Sequence, residues 1–67
     1  SYKPLAYIRR SGDESILVAV NPTGNEYALP VNGHLADEIY RFGEKAEIRD
    51  GQCVVQPGSA VFIAFAP

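Results

Sequence analysis

The sequence predicts an all-β fold: a small antiparallel β-sandwich with Greek-key-like connections and about seven short strands. Two observations predict it. Short apolar or alternating segments recur along the chain with turn signals about every eight to twelve residues, and no segment has helical spacing without also fitting a strand. Because 67 residues provide for only one small core, residues 1–67 are expected to form a single domain.

The first three strands follow from apolar patterning and turn residues. Residues 5–10 form the first strand, and the polar turn at residues 11–14 connects it to an antiparallel neighbour. Residues 16–20, ILVAV, are apolar without a break, which is typical of a strand covered on both faces. The segment NPTGN at residues 21–25 favours a turn, and therefore predicts a hairpin to a half-exposed third strand at residues 25–29.

Residues 35–42 fit either a helix or a strand. Apolar residues recur there at helical spacing, but several of them are β-branched or aromatic side chains that favour strands. Because Gly43 follows directly and strand-like alternation comes next, we favour a short strand over residues 38–41. Residues 31–37 are then the connection that precedes it.

The last third of the chain alternates more clearly. Ala46 and Ile48 are predicted to point inward, because charged residues separate and flank them. Asp50-Gly51 is a strong two-residue hairpin signal that leads into a strand at residues 52–55. A final long strand at residues 59–65 is apolar on both faces, so that it and the ILVAV strand are predicted to form the centre of the core.

Composition limits the choice of partners. A hydrophobic fraction of 46% is high for so short a chain, so one surface is expected to be covered by another domain or by a second copy in a dimer. The formal net charge is −2 with both signs interspersed, and the absence of a basic stripe argues against a nucleic-acid partner. No apolar run approaches the roughly 20 residues that cross a bilayer, so no membrane partner is expected.

The residue pattern predicts no catalysis by this chain, no cofactor and no metal. The acidic pairs Asp13-Glu14 and Asp37-Glu38 are interpreted as solvated residues beside strands, whereas glycoside cleavage needs two carboxylates that face each other. His34 is interpreted as a surface histidine in a loop, without a nucleophile beside it. Cys53 is interpreted as a small buried hydrophobe.

Tyrosine side chains provide the one candidate binding feature. Sugar rings present apolar faces that stack on exposed aromatic rings, and Tyr27 and Tyr40 are the candidate residues for binding an α-glucan. The favoured alternative is that these rings pack in the fold and expose only their hydroxyl groups.

The order of segments in LAYIRRSGDESILVAVNPTGNEYALP and ADEIYRFGEKAEIRDGQCVVQPGSAVFIAF resembles the C-terminal all-β domain of the α-amylase superfamily of glycoside hydrolases. The shared pattern begins with a strand of the form aYxR, a charged turn, a strand of the form xLVxxN and a short hairpin. It continues with a strand ending in proline, a glycine-containing turn segment, a DG hairpin and a closing strand after a proline. The resemblance covers residues 5–65.

This resemblance implies a function without catalysis. In that family the catalytic carboxylates lie on a separate (β/α)8 barrel, the C-terminal sandwich packs against the barrel, and none of the family's catalytic motifs matches a position in this chain. The chain is therefore expected to be a noncatalytic C-terminal accessory domain that stabilises the barrel of a glycosidase or glucan transferase. An α-glucan-binding module and a protein-interaction sandwich are the alternatives.

Overall fold

The computed structural model describes residues 3–31 and 34–66 of the chain, and within these ranges it contains strands and turns but no helix. All strand pairs are antiparallel. The seven strands are β1 (Leu5–Ser11), β2 (Glu14–Asn21), β3 (Tyr27–Pro30), β4 (His34–Phe42), β5 (Glu47–Arg49), β6 (Gln52–Val55) and β7 (Ser59–Ala66). The predicted fold class, a small antiparallel β-sandwich, is confirmed.

The strands form two sheets. One has four strands in the order β1-β2-β7-β4, and the other has three in the order β3-β6-β5. The β1–β2 and β5–β6 connections are hairpins, whereas every other connection passes from one sheet to the other. As a result β7 lies between β2 and β4, which is the Greek-key-like pattern of non-sequential neighbours.

The core lies between β2 and β7 of the larger sheet and β6 of the smaller sheet. The two strands predicted to form its centre are neighbours, and alternate side chains of each point inward. Burial of Cys53 confirms its interpretation as a small buried hydrophobe. The buried cluster consists of Leu17, Ala19, Cys53, Val55, Val61, Ile63 and Phe65.

The Asp50-Gly51 turn has the geometry that its sequence predicts. Both residues have positive φ, 49° for Asp50 and 77° for Gly51, as in the type I′ turn whose twist matches that of the flanking strands. It joins β5 to β6 in a regular hairpin. The local turn chemistry therefore determines this connection.

The predicted hairpin at NPTGN is wrong. β2 pairs with β1 and β7, whereas β3 pairs with β6, so residues 21–25 carry the chain from the larger sheet to the smaller one. β3 accordingly begins at Tyr27 rather than at residue 25. Turn residues specify a change of chain direction, but they do not specify which strand the next segment will pair with.

The side chain of Asn21 holds this crossover in place and is completely buried. Its Nδ2 group donates to the backbone oxygens of Asn25 at 2.7 Å, Val55 at 2.9 Å and Gln56 at 3.3 Å. Its Oδ1 atom accepts from the backbone N of Thr23 at 3.1 Å and from the Thr23 hydroxyl at 2.6 Å. One amide therefore connects the end of β2, the crossover and the end of β6.

The strand predicted at residues 38–41 is part of a longer one, because β4 runs from His34 to Phe42. The preference for strand over helix is confirmed, but the predicted connection at residues 31–37 is too long. Register shifts between Leu35 and Glu38 and between Glu38 and Tyr40 interrupt the pairing with β7. Such irregularities disturb the two-residue alternation, so the full strand is not visible in the sequence pattern. His34 thus lies in a strand rather than a loop, and its side chain lies outside the described part.

Ile48 lies on the inner side of the smaller sheet, as predicted, because it pairs with the core residue Cys53, but its side chain is 59% exposed rather than buried. β5 is a three-residue strand at the edge of the smaller sheet, and the packing between the sheets runs through β6 against β2 and β7. Ile48 pairs with the buried Cys53, yet lies beyond the region where the sheets face each other. Ala46 does pack against the core, as predicted.

Gly43 ends β4 in a close contact with β7. It has a φ of 87°, and a Cβ atom at this position would lie 2.6 Å from Ser59 Oγ. The buried Ser59 hydroxyl accepts a hydrogen bond from the backbone N of Glu44 at 2.8 Å and donates to the carbonyl of Pro57 at 3.4 Å. Glycine is therefore required for both its conformation and its size.

Replacing Asn21 with alanine is expected to destabilise the fold by about 3 kcal/mol, because buried carbonyl groups lose their donor. Urea unfolding followed by circular dichroism measures this loss. Asn25→Ala is the matched control, because Asn25 is exposed and contributes only backbone atoms to the network. Equal free energies of unfolding for the two variants would contradict the role assigned to Asn21.

Candidate functional site

The outer face of the four-stranded sheet, which points away from the core, is almost entirely apolar. Directly paired residues in antiparallel strands lie on the same face. Tyr7 on β1 pairs with Val18 on β2, and Val18 also pairs with Phe62 on β7. Phe62 in turn pairs with Tyr40 on β4, which completes one apolar row across the whole sheet.

Further rows flank this one. Leu5, Val20, Ala60 and Phe42 form the row on one side, and Arg9, Ile16 and Ala64 form the row on the other. We call these rows together the apolar outer face. Its apolar members are Leu5, Tyr7, Ile16, Val18, Val20, Tyr40, Phe42, Ala60, Phe62 and Ala64, and Arg9 adds a charge at one end.

The largest side chains of the apolar outer face are open to solvent. Tyr40 is 53% exposed and Phe42 is 64% exposed on β4, and Tyr7 and Leu5 on β1 are exposed to a similar degree. The Tyr40 ring meets the Phe62 ring edge-on, with centroids 5.5 Å apart. Val18, between aromatic neighbours in its row, is buried although nothing is stacked on this sheet. The prediction that neither side of β2 and β7 is open to water holds for Val18, whereas the other outer-face residues of these two strands are half-buried and the exposed ones lie on β1 and β4.

The outer face of the three-stranded sheet has the opposite character. Both terminal guanidinium nitrogens of Arg49 donate to the Glu26 carboxylate, with nitrogen–oxygen distances of 3.0 and 3.2 Å. Arg49 also contacts the Glu47 carboxylate. The Gln56 amide donates to Glu47 at 3.4 Å. Val54, which pairs with Glu47 on this face, is only 3% exposed. Charged side chains thus cover the outer side of this sheet, whereas the rows described on the outer side of the larger sheet carry one charge, that of Arg9.

These polar side chains bind one another, and we call Glu26, Glu47, Arg49 and Gln56 together the charged network. The hydrogen bonds from Arg49 hold the pKa of the Glu26 carboxyl below its ordinary value, and the same contacts raise the pKa of Arg49. A shallow groove of about 640 Å³ beside the network is lined by both signs of charge. Because cations and carboxylates neutralise each other there, the groove has no charge bias toward a ligand. Its charged residues are Glu26, Arg41, Glu44, Lys45, Glu47 and Arg49.

The two tyrosines predicted as sugar contacts lie in different sheets. Tyr40 belongs to the apolar outer face, whereas Tyr27 on β3 is half-buried and pairs with the core residue Val55. The structure therefore does not bring them together. Sequence reasoning missed the contribution of Phe42 and Phe62 to one surface. In the sequence, this face was visible only because two strands, at residues 16–20 and 59–65, are apolar on both sides. The pattern did not show what covers the second side.

Other candidate groups are dispersed. Asp13 and Glu14 are exposed at the β1–β2 turn, and Glu38 lies within β4 with its carboxylate 3.9 Å from Arg41. Within residues 3–31 and 34–66, no group of three or more His, Cys, Asp or Glu side chains is placed to hold a metal ion. The described residues also contain no helix long and apolar enough to cross a membrane.

Comparison with known proteins provides no relative: no protein-family model matches the chain, and neither a curated protein nor a solved structure matches it significantly.

The fold and surface define the class to which the chain belongs. It is a small antiparallel β-sandwich with one charged outer face and one apolar outer face.

The charged network is expected to contribute to stability only above acidic pH. Because the pKa of Glu26 is lowered by folding, its contribution is complete above the ordinary value of 4.5 and disappears as the pH falls through the folded pKa. Glu26→Gln should therefore lower the Tm slightly near neutral pH and have no effect in strong acid. Thermal unfolding across this range measures the difference.

The matched control for this pH dependence is Glu44→Gln. It removes one carboxylate from the same groove, and within the described residues the Glu44 side chain forms no hydrogen bond with Arg49. A Tm difference for Glu26→Gln that persists unchanged in strong acid would contradict the assigned ion pair.

Proposed function

We propose that this chain is a noncatalytic accessory domain that docks through its apolar outer face onto the catalytic (β/α)8 barrel of an amylase-like glycoside hydrolase and stabilises that barrel. The observation that carries the proposal is a set of continuous apolar rows across one sheet, half-buried at the centre and exposed at both ends on β1 and β4. Contiguous apolar surface of this kind is typical of interaction sites rather than of free protein surface.

Burial of this face provides a driving force for docking. Leu5, Tyr7, Tyr40 and Phe42 each retain about half or more of their exposure. Covering the exposed part of one such side chain contributes roughly 1 kcal/mol, so four of them contribute several kcal/mol before the costs of association. The charged outer face has no comparable gain, which favours the larger sheet as the docking side.

The choice of partner rests on the resemblance of the segment order to the C-terminal domains of amylase-like enzymes, and packing geometry is compatible with it. Helices form the outer ring of a (β/α)8 barrel. An apolar sheet face packs readily on such helices, because layered helix-on-sheet contacts are a standard way to bury one side of each.

A noncatalytic role agrees with the chemistry of the described carboxylates. Glycoside hydrolysis needs a general acid whose pKa is raised, usually by burial. Glu26 is exposed, and its pKa is shifted downward by Arg49. Glu47 contacts the same guanidinium group, so both carboxylates serve an ion pair.

Docking is tested with the chain fused to an amylase-like barrel whose own C-terminal domain has been removed. The wild-type fusion is expected to raise the Tm of the barrel, and Phe42→Lys should reduce this gain by several degrees because a charge enters the apolar interface. Ile48→Lys is the matched control, since Ile48 is similarly exposed, at 59%, on the other sheet. Differential scanning calorimetry gives both values.

Two outcomes would contradict docking to the barrel. One is a barrel Tm that does not respond to a folded wild-type domain, and the other is an equal effect of the two lysine variants. Stabilisation of an unrelated protein in place of the barrel would instead favour a general protein-interaction sandwich.

A second candidate function is α-glucan binding, which the exposure of Tyr40 beside Phe62 favours. A maltooligosaccharide added to the isotopically labelled chain is expected to shift amide signals around Tyr40, and Tyr40→Ala should abolish these shifts. Tyr27→Ala provides the comparison, because Tyr27 is half-buried in the other sheet. Signals that do not move at millimolar sugar would exclude this function and leave barrel docking unaffected.

A further inference from the structure

The sheet edges differ in how they are protected against pairing with another chain. β4 is interrupted by two register shifts, β3 has four residues and ends in Pro30, and β5 has only three residues. Bulges, prolines and short length are the usual devices that protect edges. β1 has seven residues, no proline and an uninterrupted register with β2. Among the edges of the described sheets, β1 alone has neither a bulge, nor a proline, nor short length, and the charges that could protect it, Arg9 and Arg10, lie near one end.

Three large apolar side chains of β1 are exposed, and they lie on both faces of the sheet. Leu5 is 57% exposed and Tyr7 is 49% exposed on the outer side, and Ile8 is 49% exposed on the inner side. An added strand would cover all three. The charged residues of β1, Arg9 and Arg10, lie toward one end of it.

The inner side of this edge opens into the core. A groove of about 450 Å³ runs between β1 and β3 and is lined mainly by apolar side chains. Two of these, Leu17 and Phe65, are members of the buried core cluster. The groove lining also includes Ile8, Leu29, Pro30 and Arg10. The groove beside the charged network is lined by charges instead.

We propose that β1 pairs with β1 of a second copy of this chain. The two strands run antiparallel about a two-fold axis perpendicular to the sheet, which joins both larger sheets into one of eight strands. The same axis places the two apolar grooves opposite each other, so each copy closes the open side of the other. Only the margin of the apolar outer face, at Leu5, Tyr7 and Arg9 on β1, takes part in this contact, and the part on β2, β7 and β4 stays free for docking.

The sequence of β1 suits pairing with itself. With the axis at Ile8, each Ile8 lies opposite its counterpart on the groove side. Arg9 then lies opposite the partner's Tyr7, and Arg10 lies opposite the partner's Ala6. Like charges are therefore never directly opposed, and each Arg9 can stack on an aromatic ring. A second copy thus matches both the apolar and the charged residues of this edge.

The oligomeric state measured by sedimentation equilibrium tests the proposal. A contact of seven residue pairs is small, so we expect a dimer with a dissociation constant of roughly 10 µM to 1 mM. Ile8→Lys places two lysines face to face at the axis and should abolish dimerisation. Ile48→Lys is the control with the same substitution at an exposed isoleucine on β5, and it should dimerise as the wild type does.

Three outcomes would overturn the proposal: a wild-type monomer at about 1 mM, a dimer that Ile8→Lys leaves intact, or a dimer that is lost in Phe42→Lys and kept in Ile8→Lys. The last result would place the contact on the apolar outer face. The first two outcomes leave barrel docking untouched, whereas the third would make a second copy a competitor for the docking face; docking itself is measured separately through the Tm of the barrel.

Amide hydrogen exchange of the wild-type chain gives an independent readout that needs no variant. Alternate amides of β1 point away from β2 and should become protected as protein concentration rises. Amides at the free edge of β4 should not change. Protection that rises at β4 and not at β1 would overturn the proposal even if Ile8→Lys did not fold.

Discussion

The buried amide of Asn21 is the interaction on which the sandwich depends. It donates to backbone oxygens in the crossover and at the end of β6, and it accepts from Thr23. A buried carbonyl without a donor costs more free energy than a typical hydrogen bond provides. The Asn21 side chain therefore favours the arrangement in which the chain leaves the first sheet at this residue and the second sheet lies beneath it.

That arrangement leaves the two sheets with different surroundings. The smaller sheet buries Cys53 and Val55 on its inner side and covers Val54 on its outer side with the network around Arg49. The larger sheet has a comparable inner side, but its outer rows remain apolar and open. A chain of 67 residues cannot supply a third layer to cover them. Exposed rows of this kind therefore favour a role that depends on another protein surface.

Protection of the edges differs between strands, and the two edges of the larger sheet are unlike each other. β3, β4 and β5 have short length, proline or register shifts, and β1 has none of these. The edge of β1 and the apolar outer face meet at Leu5 and Tyr7, which belong to both. Contacts in the plane of the sheet and contacts on its face are nevertheless separate, because a strand added at the edge leaves the face uncovered.

Much of the fold was predictable from local sequence. Apolar patterning and the φ angles that particular residues adopt determine the all-β class, the strand at ILVAV and the Asp50-Gly51 hairpin. These preferences act within a few neighbouring residues. Burial of Cys53 was predictable for the same reason. The site was predictable only in outline: composition indicated a covered surface, and Tyr40 was identified without its neighbours Phe42 and Phe62.

Outside the two local hairpins, β1–β2 and β5–β6, tertiary structure alone decided which strands pair. The turn residues of NPTGN are compatible with a hairpin, and the hydrogen bonds of Asn21 to distant carbonyl groups make it a crossover instead. Likewise, Ile48 alternates as an inward residue but lies where no opposing sheet covers it. The sequence by itself determined the elements and their turns, because those depend on local dihedral angles and patterning. The pairing of strands, and with it the apolar outer face, depends on contacts between residues far apart in the chain.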